Sequence, residues 1–176
     1  MNLVHYYHAG STPLRSISRL PKEEAFALAR SLHETHPCIA HKRFSEARMD
    51  WYWERRLNAE RQLHEEFIAL GGKPETEHPI YFALQGGGVI DNLYRNFDEA
   101  KTIAVPLSSI DPACLSFTYG DSVALYDHPA RRGPFMKDSL KQLLEKHGGL
   151  DALLQNLEPV YMYIEAQAWV EALKPV

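Results

Sequence analysis

Phe44 to Leu84 reads FSEARMDWYWERRLNAERQLHEEFIALGGKPETEHPIYFAL, and its pattern predicts a long helix, a stop, a loop and a strand. The part from Phe44 to Leu70 lacks Gly and Pro and is rich in Glu, Arg, Ala and Leu, all good helix formers. At ~1.5 Å rise per residue such a helix is ~40 Å long, enough to cross a small domain. Trp53, Leu57, His64, Phe67 and Ile68 recur at helical spacing, and Leu63 and Leu70 widen the stripe. Gly71-Gly72 supplies the left-handed stop, with Pro74 just beyond. The strand that follows, Pro79 to Gln85, must pack on or beside this helix.

The rest of the chain has the same mixed character. Leu3 to Ala9 predicts a first strand, with Val4, Tyr6 and His8 on one face and Leu3, His5 and Tyr7 on the other. Gly10-Ser11-Thr12-Pro13 turns it. A helix runs from Pro21 to about Thr35, where Pro37 ends it. In the second strand Ile80, Phe82 and Leu84 oppose Tyr81, Ala83 and Gln85. Gly86-Gly87-Gly88 and a loop from Val89 to Phe97 follow, then a short edge strand from Lys101 to Pro106. Cys114 to Tyr119 and Ser122 to Tyr126 read as a hairpin around Gly120-Asp121. Asp127 to Pro134 is an exposed loop, Phe135 to His147 a helix stopped by Gly148, and Leu150 to Leu157 a short helical piece. From Val160 to Val170 the alternation is nearly unbroken, with Glu165 on the polar and aromatic side of a half-buried strand. Without a βαβ rhythm, the expectation is one α+β domain over 1–176, a mainly antiparallel sheet with a long helix and two shorter helices packed on it.

The totals bound the function. Of 176 residues 45% are apolar, enough for a core. A net charge of -4 argues against a dedicated duplex-binding protein. Cys38 and Cys114 lie far apart without a CxxC spacing, as free thiols in a reducing compartment would. MNLVHYYHAG has neither a basic start nor an apolar run, and no window approaches the ~18 apolar residues of a membrane span. The expectation is a soluble cytoplasmic protein without a membrane or duplex partner.

Three strand motifs carry the sharpest chemical reading: His8 in YYHAGS, Tyr81 in PIYFAL and Glu165 in YIEAQAW. Together they resemble the H-Y-E pattern of the ADP-ribosyltransferase fold. The resemblance implies that His8 and Ser11 position the ribose of NAD, Tyr81 stacks on nicotinamide, and Glu165 steadies the oxocarbenium-like charge. The residue types suit that chemistry: a cationic nicotinamide favours an aromatic face, and charge developing at a ribose carbon favours a fixed carboxylate. This chain departs from the family in having His8-Ala9-Gly10-Ser11, one residue longer than its His-Gly-Ser, and Tyr163 two residues before the Glu.

Other groupings point elsewhere. His33, Glu34, His36, Cys38 and His41 offer imidazole and thiolate to a metal-dependent hydrolase, but their spacing matches no zinc finger and they straddle a helix end, so no metal is expected. Trp51, Tyr52 and Trp169 would mark the contact of a protein-interaction domain if exposed. The alternating charges of the long helix read as surface pairs, with Arg56 and Glu60 as a buried pair in a second reading. Arg131, Arg132 and Lys137 read as a solvated loop or a phosphate contact, and Gln85-Gly86-Gly87-Gly88 lacks the Lys of a phosphate loop.

Overall fold

A computed structural model describes residues 1–8, 10–35, 44–86 and 100–173. The fold is α+β. Five strands form one antiparallel sheet: β1 (Asn2–His8), β2 (Ile80–Leu84), β3 (Ala100–Pro106), β4 (Leu115–Tyr119) and β5 (Ile164–Ala168), in the order β3-β1-β2-β5-β4. Helices α1 (Lys22–Thr35) and α2 (Glu46–Ala69) cover one face, and α3 (Lys137–His147) and α4 (Leu150–Gln155) pack on the other.

Strand alternation sorts the side chains between these layers. Leu3, Ile80, Phe82, Leu84, Val105, Leu115, Phe117, Ile164, Ala166 and Ala168 form a core with Leu140 of α3 and Leu153 of α4. The opposite face carries Tyr81, Glu165, Gln167, Ser116 and Thr118, and α2 lies across it. Leu63 and Phe67 of α2 close on Trp169, which stacks on Phe67 at 5.8 Å and donates its Nε1–H to Ser116 Oγ at 2.9 Å. Each large apolar side chain buried here stabilises the fold by about 1.5–3 kcal/mol. α1 packs on α2 through Phe26 and Trp53.

The long helix starts at Ser45, its N-cap, and stops before Gly71 at φ 92, the left-handed conformation Gly adopts without a Cβ penalty. Gly72 is needed for a different reason: a Cβ there would meet the Phe67 ring at 2.5 Å. The buried side of α2 is rotated from the expected stripe. Met49, Tyr52, Trp53, Ala59, Glu60, Leu63 and Phe67 are buried, whereas Ile68 and Leu70 are exposed. A buried Glu60 widens the inward face toward the polar side of the sheet, and no apolar count could have placed it there.

Two further expectations are corrected. Ser122 to Tyr126 is not the second strand of a hairpin. The chain turns there, because Asp121 Oδ1 accepts the Val123 and Ala124 backbone N–H groups at 3.0 and 2.8 Å and starts a helical turn. The last strand is Ile164–Ala168 rather than Val160 to Val170: Met162 takes φ 55, which breaks an extended run, and Val160 and Met162 are exposed. The loop from Val89 to Phe97 lies outside the described residues. Among the described residues no helix is long and apolar enough to cross a membrane.

Candidate functional site

β1 and β2 pair only at Leu3–Leu84 and Val4–Ala83. Past Val4 the ladder ends, and the His5 ring donates from Nδ1 to the Tyr81 carbonyl at 2.8 Å. Burial pushes the His5 pKa down, with that hydrogen bond acting in the opposite sense, so the ring favours its neutral form. Where the strands part, a cavity of about 280 Å³ opens, lined from the sheet by Tyr6, His8, Tyr81, Ala83 and Glu165, with Tyr163 just before β5. α2 supplies Tyr52 and Arg56, and α1 supplies Leu28 and Leu32. The turn after β1 adds Ser11 and Thr12, and the turn after β4 adds Asp121 and Val123. His8, Ser11, Tyr81 and Glu165 therefore all border one space, although 157 positions separate the first from the last.

His8 ends β1 facing α2 and is buried; its Nδ1 accepts the Gly10 backbone N–H at 3.2 Å, which places the proton of a neutral ring on Nε2. The Ser11 hydroxyl donates to the His8 carbonyl at 2.9 Å, and the Ser11 backbone N–H does the same. Ser11 thus pins the turn that holds His8. Ala9, the extra residue of that motif, lies outside the described residues.

Tyr81 is fixed by residues that the strand motifs alone did not indicate. Its hydroxyl donates to Glu60 Oε1 at 3.1 Å, and the Arg56 guanidinium sits 4.9 Å over its ring. Glu60 is fully buried. It pairs with Arg56 at 2.9 Å, accepts from Ser18 Oγ at 2.7 Å, and takes a hydrogen bond from His78 Nδ1 at 2.7 Å. Arg56 also donates to Tyr52 at 3.0 Å and Ser16 at 3.1 Å. Burial alone would raise the Glu60 pKa; Arg56, His78 and Ser18 together outweigh it and hold the carboxyl below its ordinary value. The same surroundings push the Tyr81 phenol well up, burial first and the Glu60 charge second, so Tyr81 remains a hydroxyl. For Arg56 and Glu60 the second reading holds, a buried pair under the sheet, while Asp50, Arg55 and Glu66 pair with residues off the helix rather than along it.

Glu165 is held differently. It is 5% exposed, and its Oε1 accepts three neutral donors: the Ser122 N–H at 3.1 Å, the Ser122 hydroxyl at 2.6 Å and Gln167 Nε2 at 2.9 Å. Oε2 accepts the Tyr163 hydroxyl at 3.3 Å. Burial, and next the negative charge of Asp121, raise its pKa to about 7 against the pull of those donors. A carboxyl of this kind exchanges its proton at neutral pH and ionises when a positive charge enters the cavity.

Other sequence expectations fare less well. Tyr52 and Trp169 are buried, so of the three aromatics proposed as a contact surface only Trp51 is exposed, at 56%. In the loop read as solvated, Arg131 pairs with Glu66 at 2.7 Å and Arg132 with Glu158 at 2.6 Å, the latter pair exposed. His36, Cys38 and His41 lie outside the described residues, and among the described residues no group of three His, Cys, Asp or Glu could hold a metal ion. Cys114 is buried with its Sγ donating to the Lys73 carbonyl, and burial raises its pKa, as suits an inert thiol. Sequence reasoning also missed Ser122 and Asp121. Gln167 was legible as a neighbour of Glu165 on one strand face. Comparison with family models, with curated proteins and with solved structures finds no match to this chain.

Proposed function

We propose that the cavity binds the nicotinamide–ribose end of NAD and that the protein acts as an ADP-ribosyltransferase-like enzyme, breaking the bond between nicotinamide and ribose. The observation that supports this reading is the convergence of His8 on β1, Tyr81 on β2 and Glu165 on β5 upon one cavity. Tyr81, which lines the cavity, stacks on the cationic nicotinamide. Glu165, ionised by the arriving cation, stabilises the positive charge that grows at ribose C1 as nicotinamide leaves. His8 presents its imidazole edge to the ribose hydroxyls, and Ser11 holds the turn that sets its position. A cavity of about 280 Å³ takes one half of the dinucleotide and leaves the adenosine half outside.

Calorimetric titration with NAD tests the reading. Binding in the micromolar range is expected in the wild type. In Tyr81→Ala, which removes the stacking face, affinity should fall at least about tenfold, about 1.4 kcal/mol. Flat heats in the wild type rule the reading out.

A further inference from the structure

The cavity holds a second carboxylate, and the two are held by different partners. Glu165 is almost fully buried and lies among neutral donors, whereas Asp121 is half-exposed and is oriented by two backbone N–H groups on one oxygen. Ser122, next in sequence to Asp121, clamps Glu165 through both its N–H and its hydroxyl, so the turn that presents Asp121 also fixes Glu165. Two carboxyl groups on one cavity, one buried among donors and one at its half-exposed mouth, are placed for different chemical roles.

Resting on the NAD reading above, we propose that Asp121 is the general base that activates water against ribose C1, so that this site hydrolyses NAD to nicotinamide and ADP-ribose. In the step, the C1–N bond breaks and its electron pair leaves with nicotinamide as a neutral pyridine. The water oxygen bonds to C1, and the proton it loses passes to the Asp121 carboxylate and then to solvent. One NAD and one water give one nicotinamide, one ADP-ribose and one proton. Glu165 steadies the charge at C1 and Asp121 deprotonates the nucleophile. No macromolecular acceptor is required.

The test incubates the full chain with NAD alone and separates the products by chromatography. Nicotinamide and ADP-ribose should appear in equal amounts. Asp121→Asn keeps an Oδ1 to accept the Val123 and Ala124 N–H groups and removes the charge that opposes Glu165 ionisation, so its melting temperature should be no lower than that of the wild type. Its kcat should drop about 100-fold or more while its affinity for NAD by calorimetry stays within about twofold. Azide, an anion that needs no base, should restore nicotinamide release in Asp121→Asn by forming the ribosyl azide, which a merely structural role would not allow. Binding without hydrolysis in the wild type, undiminished kcat in Asp121→Asn, or no rescue by azide overturns this inference and leaves the NAD-binding reading standing. Flat calorimetric heats overturn both.

Discussion

Glu165→Gln should make the protein more stable at neutral and alkaline pH, although it removes the residue assigned to steady the reaction. The folded protein keeps the Glu165 proton up to about pH 7, whereas the unfolded chain loses it near 4.5. Between those values the folded state binds more protons, so its stability falls as pH rises and levels off above about 7. The shift from 4.5 to about 7, at ~1.36 kcal/mol per unit, amounts to about 3 kcal/mol. Gln stays neutral at every pH and retains an Oε1 to accept from Ser122, so it escapes that loss. Urea denaturation of both proteins at pH 5 and pH 8 checks this. The advantage of Glu165→Gln should be under about 1 kcal/mol at pH 5 and about 3 kcal/mol at pH 8, with unchanged m-values. His5 acts in the opposite direction, since burial lowers its pKa and stability is lost as pH falls through the range below 6.5; it is common to both proteins and cancels in the difference. A gap that does not change between the two pH values, or a wild type more stable at pH 8, refutes the reasoning.

Two other substitutions probe the scaffold around the cavity. Glu60→Gln leaves the Arg56 guanidinium, 13% exposed, without its counter-charge, and should destabilise by about 3–5 kcal/mol; the double change Arg56→Met with Glu60→Gln should cost less, as a comparison of urea midpoints would show. Trp169→Phe loses the hydrogen bond to Ser116 in a fully buried setting and should cost about 1–3 kcal/mol, whereas Trp51→Ser, at an exposed position, should change thermal stability by no more than about 0.5 kcal/mol.

Periodicity made most of the fold legible and failed where a polar group decides the geometry. The two faces of β1 and β2, the stop at Gly71 and the edge position of β3 all follow from apolar alternation and turn chemistry. The rotation of α2 did not, because Glu60 is buried by partners that come from three other segments: Ser18, His78 and Tyr81. Likewise Ser122 to Tyr126 has the composition of a strand, and only the capping reach of Asp121 makes it a turn. The strand motifs located His8, Tyr81 and Glu165 because each lies on a regular element whose facing direction is set by counting in twos. Asp121 and Ser122 lie in a turn, where no such count exists.

The contrast between Glu60 and Glu165 separates scaffold from site. Both carboxyls are buried on the α2 side of the sheet, Glu60 at 0% and Glu165 at 5% exposure, and burial acts on both to raise the pKa. Their shifts are nonetheless opposite, and the cause is Arg56. Glu60 has a guanidinium at 2.9 Å, which holds it in its ionised form. The donors holding Glu165 are the neutral Ser122, Gln167 and Tyr163, and the nearest opposing influence is another carboxylate, Asp121. Glu60 is neutralised within the fold, whereas Glu165 borders a cavity that Tyr81 also lines and is held by neutral donors alone, which is why the two titrate in opposite directions.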